Sequence, residues 1–262
     1  MEKRVAILID GDNISSKYAE YIKQEAMRIG KIKVCRLYGS VSSPSVRAWY
    51  PVMPLHGIMP VLQISYANGK SITDQALTID AMDILYSKGI DVICLVSSDS
   101  DFTKLAYRIK EEGIQVIGMG ETKTNEALAK ACDEFKVLDL IYKSVAEEEE
   151  KGKNKTFVPL ESDAALESGE AKSDVVISIP TESDIMGDIL DILEDDEWEN
   201  LSNVGINISK RRPGFDVRIY GYRNMSDFIR KHRDIFVMKK VKADDGIHEI
   251  VYIKKNEKHS KT

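Results

Sequence analysis

Val5-Ala6-Ile7-Leu8-Ile9 runs into Asp10-Gly11-Asp12-Asn13, and Val92-Ile93-Cys94-Leu95-Val96 runs into Ser97-Ser98-Asp99-Ser100-Asp101. Short continuous apolar runs that stop at turn residues are the pattern of strands buried on both faces, as in a parallel sheet. Each run ends in carboxylates. In an open α/β sheet the carboxyl ends of the strands border the crevice where ligands bind. Carboxylates gathered there repel one another unless a cation or a shared proton holds them, so a divalent metal is the first candidate ligand.

Outward from these two strands, helix-like and strand-like patterns alternate from Arg4 to Lys143, which predicts a parallel sheet covered by helices. Tyr18, Ile22, Ala26 and Ile29 recur at helical spacing and Gly30 stops them. Further strands are expected at Ile32–Tyr38, Val61–Ile64, around Val116 and Ile117, and from Phe135 to Ile141. Further helices are expected over Arg47–Leu55, Thr73–Ser87, Phe102–Ile109 and Asn125–Cys132. This is a three-layer α/β domain over residues 1–143.

The formal charge of −6 is segregated. Residues 1–143 are balanced, 144–200 carry a net −14, and 201–262 carry a net +8. The stretch 144–180 is acidic and poor in apolar residues, so it reads as a flexible linker, with Val175–Ile179 a transient strand at most. Residues 181–256 then show three helical segments, with Ile185, Ile189, Leu190 and Leu193 in the first, Leu201–Ile208 the second and Met225–Lys231 the third. Phe236-Val237-Met238 and Ile250-Val251-Tyr252-Ile253 flank a Gly-containing turn, which reads as a hairpin. Three helices and a β-ribbon make a small winged-helix domain, followed by a tail over 257–262. Its basic excess points to a polyanion. Arg211, Arg212, Arg218, Arg223, Arg230, Lys231 and Arg233 supply the cations, and Tyr220 and Tyr222 read equally as base-stacking or core residues.

Three or four carboxylates without histidine suit metal-assisted phosphodiester hydrolysis, because hard oxygen donors hold Mg²⁺ or Mn²⁺. Asp10, Asp99 and Asp101 come from the strand ends, and Asp74 lies near a helix start, where the helix dipole favours an anion. Asp12 and Asn13 read either as helix caps or as members of the site. Lys70 reads as a phosphate contact or as an ordinary loop lysine. Asp80, six residues beyond Asp74, falls about 240° around the helix and does not share its face. His56, His232, His248 and His259 share no spacing with the acids. Cys35, Cys94 and Cys132 are dispersed, which fits buried thiols in a reducing compartment and no zinc site. No apolar run is long enough to span a bilayer, and no signal segment precedes the first strand, so the expected location is the cytoplasm, without a membrane partner.

Residues 1–143 resemble a NYN domain of the LabA type, a branch of the PIN-like ribonuclease superfamily. The likeness is carried by Ile9-Asp10-Gly11-Asp12-Asn13, by the Lys70–Asp80 stretch and by Ser97-Ser98-Asp99-Ser100-Asp101-Phe102. It implies a metal-dependent nuclease centre with Asp10, Asp74, Asp99 and Asp101 as metal-binding acids, and Asp12, Asn13 and Asp80 in support. The carboxyl-terminal segment resembles an OST-HTH, or LOTUS, domain through Phe215-Asp216-Val217-Arg218-Ile219-Tyr220-Gly221-Tyr222, Met225-Ser226-Asp227-Phe228-Ile229 and the Phe236–Ile253 hairpin. That family implies RNA as partner, and protein partners as a second class. The expected activity is a metal-dependent ribonuclease; the alternative is a noncatalytic RNA adaptor. A haloacid-dehalogenase-type phosphatase would need a threonine where Ile14 stands.

Overall fold

The structure is a computed structural model and describes residues 2–64, 72–87, 89–151, 176–194, 197–242 and 248–256, with side chains in the first helical stretch after the sheet described to Ser144. The amino-terminal domain runs β1 (Arg4–Asp10), α1 (Ala19–Ile29), β2 (Lys31–Ser40), α2 (Pro44–Arg47), α3 (Met53–His56), β3 (Met59–Gln63), α4 (Ile72–Tyr86), β4 (Val92–Val96), α5 (Thr103–Glu111), β5 (Gln115–Gly120), α6 (Glu126–Ala131), β6 (Glu134–Val137) and α7 (Leu138–Lys151). The six strands lie in the order β3-β2-β1-β4-β5-β6, all parallel. The chain winds outward from β1 in one direction, then returns to β4 and winds outward in the other. The switch point between β1 and β4 therefore opens a crevice at their carboxyl ends.

The central position of β1 explains its composition. Val5 through Ile9 are fully buried, their side chains divided between two cores, one on each face of the sheet. Each such side chain stabilises the fold by roughly 1.5–3 kcal/mol relative to exposure. Trp49 is also fully buried and donates its indole N–H to the Ile14 carbonyl at 3.0 Å, which fixes the loop after β1 against the α2–α3 segment.

Three local expectations are corrected. Arg47–Leu55 is not one helix: Pro51 lies in the turn that separates two single-turn helices, and Pro54 sits in the first turn of the second, where its missing N–H is not needed. The sixth strand ends at Val137, and Leu138–Ile141 begins α7. Leu138 and Ile141 are fully buried, an i, i+3 pair that suits a helix face as well as a strand run. The helix also continues to Lys151, past the expected linker start. The middle of the expected linker lies outside the described residues.

The second domain comprises α8 (Glu182–Ile192), β7 (Glu199–Asn200), α9 (Leu201–Arg211), a 3-10 turn at Val217–Tyr220, α10 (Met225–Lys231), β8 (Phe236–Lys242) and β9 (Glu249–Lys255). Thr181 and Asp184 form a reciprocal capping box at the start of α8. The strands form an antiparallel sheet ordered β7-β9-β8, and the helices pack over it through Ile185, Ile189, Val204, Ile208, Phe228 and Ile253. This is the expected winged helix, with the short β7 added. Among the described residues no helix is long and apolar enough to cross a membrane.

The two domains are joined by more than the chain. Ile177, which donates its N–H to the Thr124 carbonyl at 3.1 Å, is buried in the core of the first domain. Gly214 adopts a left-handed conformation (φ 83°), and an added Cβ would stand 3.1 Å from Val137 Cγ2. Arg218 donates to Asp216 through Nε at 2.9 Å and Nη2 at 2.6 Å, and to Glu25 of α1 through Nη1 at 2.7 Å. Lys136 of β6 pairs with Glu134 at 2.5 Å and with Asp216 at 3.7 Å. Glu25 and Asp216 are buried, so removing one cation leaves carboxylates without full compensation. Arg218→Ala should cost about 3 kcal/mol, read as a lower urea midpoint by circular dichroism. An unchanged midpoint would place the joint outside the cooperative unit.

Candidate active site

Asp10 is the last residue of β1 and only 2% exposed. Its Oδ2 accepts a hydrogen bond from Ser97 Oγ at 2.8 Å and its Oδ1 accepts one from the Asn13 N–H at 3.2 Å. Ser97 Oγ in turn accepts the Asp99 N–H at 3.0 Å. One fully buried hydroxyl thus ties the ends of β1 and β4 together across the switch point.

Asp12 Oδ2 accepts from the Ser40 N–H at 3.0 Å, at the end of β2, and from Thr73 Oγ1 at 2.9 Å in the first turn of α4. That bond draws α4, and Asp74 with it, to the crevice. Asp10 is accordingly pushed up to about 7. Burial is the largest cause; the Ser97 hydrogen bond opposes it, the charge of Asp74 adds to it, the Asn13 N–H opposes it and the charge of Asp12 adds further. The charges of Asp74 and Asp12 therefore both act on Asp10.

The other expected acids are placed differently. Asp99 caps the 3-10 turn Ser100–Phe102, its Oδ1 accepting the Asp101 N–H at 2.9 Å, and Asp101 is exposed in that turn. Asp80 points to β2, pairing with Arg36 at 2.6 Å and accepting from the Tyr38 hydroxyl, so it supports the sheet and is separate from the acid cluster. Lys70 lies outside the described residues. Among the described residues no group of three His, Cys, Asp or Glu side chains converges closely enough to hold one ion as arranged. Sequence reasoning missed Ser97, Ser40 and Thr73, whose hydroxyl and amide groups orient the acids. The adjacency of Ser97 to a strand end was the available signal.

In the second domain several expected nucleic-acid contacts are committed to protein. Arg218 holds the domain joint. Tyr220 donates to the Pro180 carbonyl at 2.6 Å, and Tyr222 donates to Glu182 at 3.2 Å while its ring meets Phe228 edge to face. Arg212 forks onto Asp188 at 2.6 and 3.2 Å, and Arg230 pairs with Asp227 at 2.5 Å. Both tyrosines are half-buried with their hydroxyls held by protein, contacts that suit the core alternative of the two readings the sequence left open. Arg211, Arg223, Lys231 and Arg233 are exposed and make no ion pair among the described residues. Sequence reasoning also passed over the basic hairpin, where Lys239 lies 4.1 Å from the Trp198 ring centre.

A parallel sheet with acids at its switch point, followed by a small basic winged helix, defines a two-domain α/β protein. The NYN domain profile matches residues 4–139, more than half of the chain, and the OST-HTH/LOTUS profile matches residues 175–247. The chain belongs to the NYN domain family and carries an OST-HTH/LOTUS domain. NYN domains are generally nucleases, and OST-HTH domains bind RNA. An uncharacterized protein of Methanocaldococcus jannaschii is 27% identical over 165 residues, covering 61% of this chain and 65% of that protein. The chain thus spans just under two thirds of that relative's length. A crystal structure of a Vibrio parahaemolyticus protein of unknown function is 22% identical over 51% of this chain and 91% of that chain, with a TM-score of 0.43. A solution structure of an uncharacterized Nitrosomonas europaea protein is also 22% identical, over 38% of this chain and 92% of that chain, with a TM-score of 0.25.

The raised Asp10 sets a pH dependence. Its folded value, about 7, lies above the ordinary aspartate value of 3.8, so the folded state binds the extra proton between those limits and loses stability as pH rises through them. In metal-free protein Asp10→Asn should raise the melting temperature at pH 8, by a gain on the order of a few kcal/mol. The difference should vanish below about pH 4. A pH-independent difference would contradict the placement of Asp10.

Proposed function

We propose that the chain is a metal-dependent ribonuclease that hydrolyses RNA phosphodiester bonds and engages RNA through its OST-HTH domain. The observation that carries this reading is the buried Asp10 carboxylate at the switch point, whose ionisation is opposed by burial and by Asp74 and Asp12. A cation is the group that would relieve that opposition. The expected donors are carboxylate oxygens, which suit Mg²⁺ or Mn²⁺; of the described histidines, His56 lies against Glu20 and His232 against Glu182. Asp10 and Asp74 would hold the ion, with Asp99 and Asp101 completing the shell and Asp12 and Asn13 in support.

A bound Mg²⁺ or Mn²⁺ supplies positive charge that acidifies a water and neutralises phosphate oxygens. The protein's part is orientation. Ser97 and the Asn13 N–H hold Asp10, while the Thr73–Asp12 bond sets the start of α4. A bound cation would favour the ionised Asp10 carboxylate that burial and the neighbouring acids disfavour without it. Arg211, Arg223, Lys231 and Arg233 attract phosphates from the second domain. Cys35, Cys94 and Cys132 are buried free thiols, which suits a reducing compartment such as the cytoplasm. The capping role of Asp99 favours one second reading, an RNA-binding adaptor that retains the nuclease fold without turnover.

Asp10→Asn and Asp99→Asn should each abolish Mn²⁺-dependent cleavage of single-stranded RNA while leaving RNA binding in EDTA nearly intact. Mn²⁺ should also raise the melting temperature of the wild type and not of Asp10→Asn. Equal cleavage by wild type and the double variant would sink the assignment, and binding without any metal-dependent turnover would select the adaptor. Separately, Lys231→Ala and Arg233→Ala should each flatten the salt dependence of RNA binding by about one unit of slope. Arg212→Ala, whose guanidinium is held by Asp188, should change that slope less.

A further inference from the structure

Beside the acid crevice stands a cluster that the reading above does not use. Lys17 lies in the 3-10 turn Ser16–Tyr18, directly after the loop that follows Asp10. It is exposed and makes no ion pair among the described residues. Its ammonium sits 4.8 Å from the Tyr18 ring centre and 5.5 Å from that of Tyr142 on α7. Tyr142 meets Tyr18 at 5.7 Å and Tyr21 at 5.4 Å, both edge to face. Tyr18 is buried, whereas Tyr21 and Tyr142 are half-buried.

Hydrogen bonds tie this cluster to the acids. Tyr18 donates its hydroxyl to Glu121 at 3.0 Å, and the Glu121 N–H donates to Ser98 Oγ at 2.9 Å. Ser98 follows Ser97, which holds Asp10. The cluster therefore shares the strand-end side of the sheet with the crevice. Carboxylates repel the polyanion they are to act on, so nearby cations and ring surfaces must hold it. Among the described residues Lys123 is already paired with Glu121 and Arg36 with Asp80, whereas Lys17 makes no ion pair.

We propose that Lys17, Tyr21 and Tyr142 form a subsite for one unpaired RNA nucleotide flanking the phosphate to be cleaved. The base stacks against Tyr142 and Tyr21, and Lys17 exchanges its exposed contact with the rings for a phosphate oxygen. A duplex hides its base faces in the stack, so the subsite selects single-stranded RNA. The proposal rests on the ribonuclease reading and deepens it.

The test uses the full chain and a short labelled single-stranded RNA, the same strand with one abasic position, and a duplex, with binding measured in EDTA by fluorescence anisotropy. The single strand should bind more tightly than the duplex. Tyr142→Ala should weaken that binding about tenfold, with Tyr142→Phe restoring most of it. The loss should shrink on the abasic strand. Lys17→Glu should also weaken binding, Lys17→Ala should lower the salt slope by about one, and with Mn²⁺ both should raise KM more than they change kcat. If wild type binds and cuts RNA but Tyr142→Ala and Lys17→Glu match it, the subsite is overturned and the ribonuclease reading stands. If wild type neither binds nor cuts, the reading itself falls and the subsite with it. Lys17→Glu, at an exposed position, decides the matter even if Tyr142→Ala fails to fold.

Discussion

The hydrogen bond from Ser97 to Asp10 is the contact on which the crevice depends. It joins the carboxyl ends of β1 and β4, the two strands between which the sheet reverses its winding. A carboxylate in that position loses most of its hydration, and the hydroxyl and the Asn13 N–H return only part of it. The unfavourable remainder is why Asp10 resists ionisation. Strain of this kind at a functional centre is offset by the apolar packing of β1 on both faces.

A second constraint sets how the domains share work. Ile177 is buried in the first domain's core, and Arg218 spans Glu25 and Asp216. The winged helix contacts the β6 edge of the sheet and the later turns of α1, whereas the acids and the Lys17 cluster lie at the strand ends where α1 begins. An RNA held by both domains must therefore pass along the body of the first. Since α1 rises about 1.5 Å per residue, the stretch from Ala19 to Glu25 separates the two regions by roughly 9 Å.

Much of the fold was legible because its signals are local. Val5–Ile9 and Val92–Val96 could only be strands covered on both faces, and Gly30 ended α1 as its lack of a side chain suggests. The winged helix was legible from helical spacing and one hairpin. The misreadings and the open choices have a common physical origin: Leu138 and Ile141 suit a strand or a helix, and Tyr220 and Tyr222 suit a core or a stacking surface. Periodicity alone does not distinguish these, because the decision lies with the residues packed opposite. Ser97, Thr73 and Lys17 are ordinary polar residues in the chain and acquire meaning only from what the fold brings to them.

The amino-acid sequence by itself determined the α/β class, the two-domain order, the strand-end acids and the basic excess of the second domain, since each follows from residue type and spacing along one segment. Only the tertiary structure decided which acids act on one another, which cations are already spent, and that Arg218 belongs to the joint. Those outcomes depend on distances between segments far apart in the chain. Burial and pairing at those distances set the charge that each group can carry.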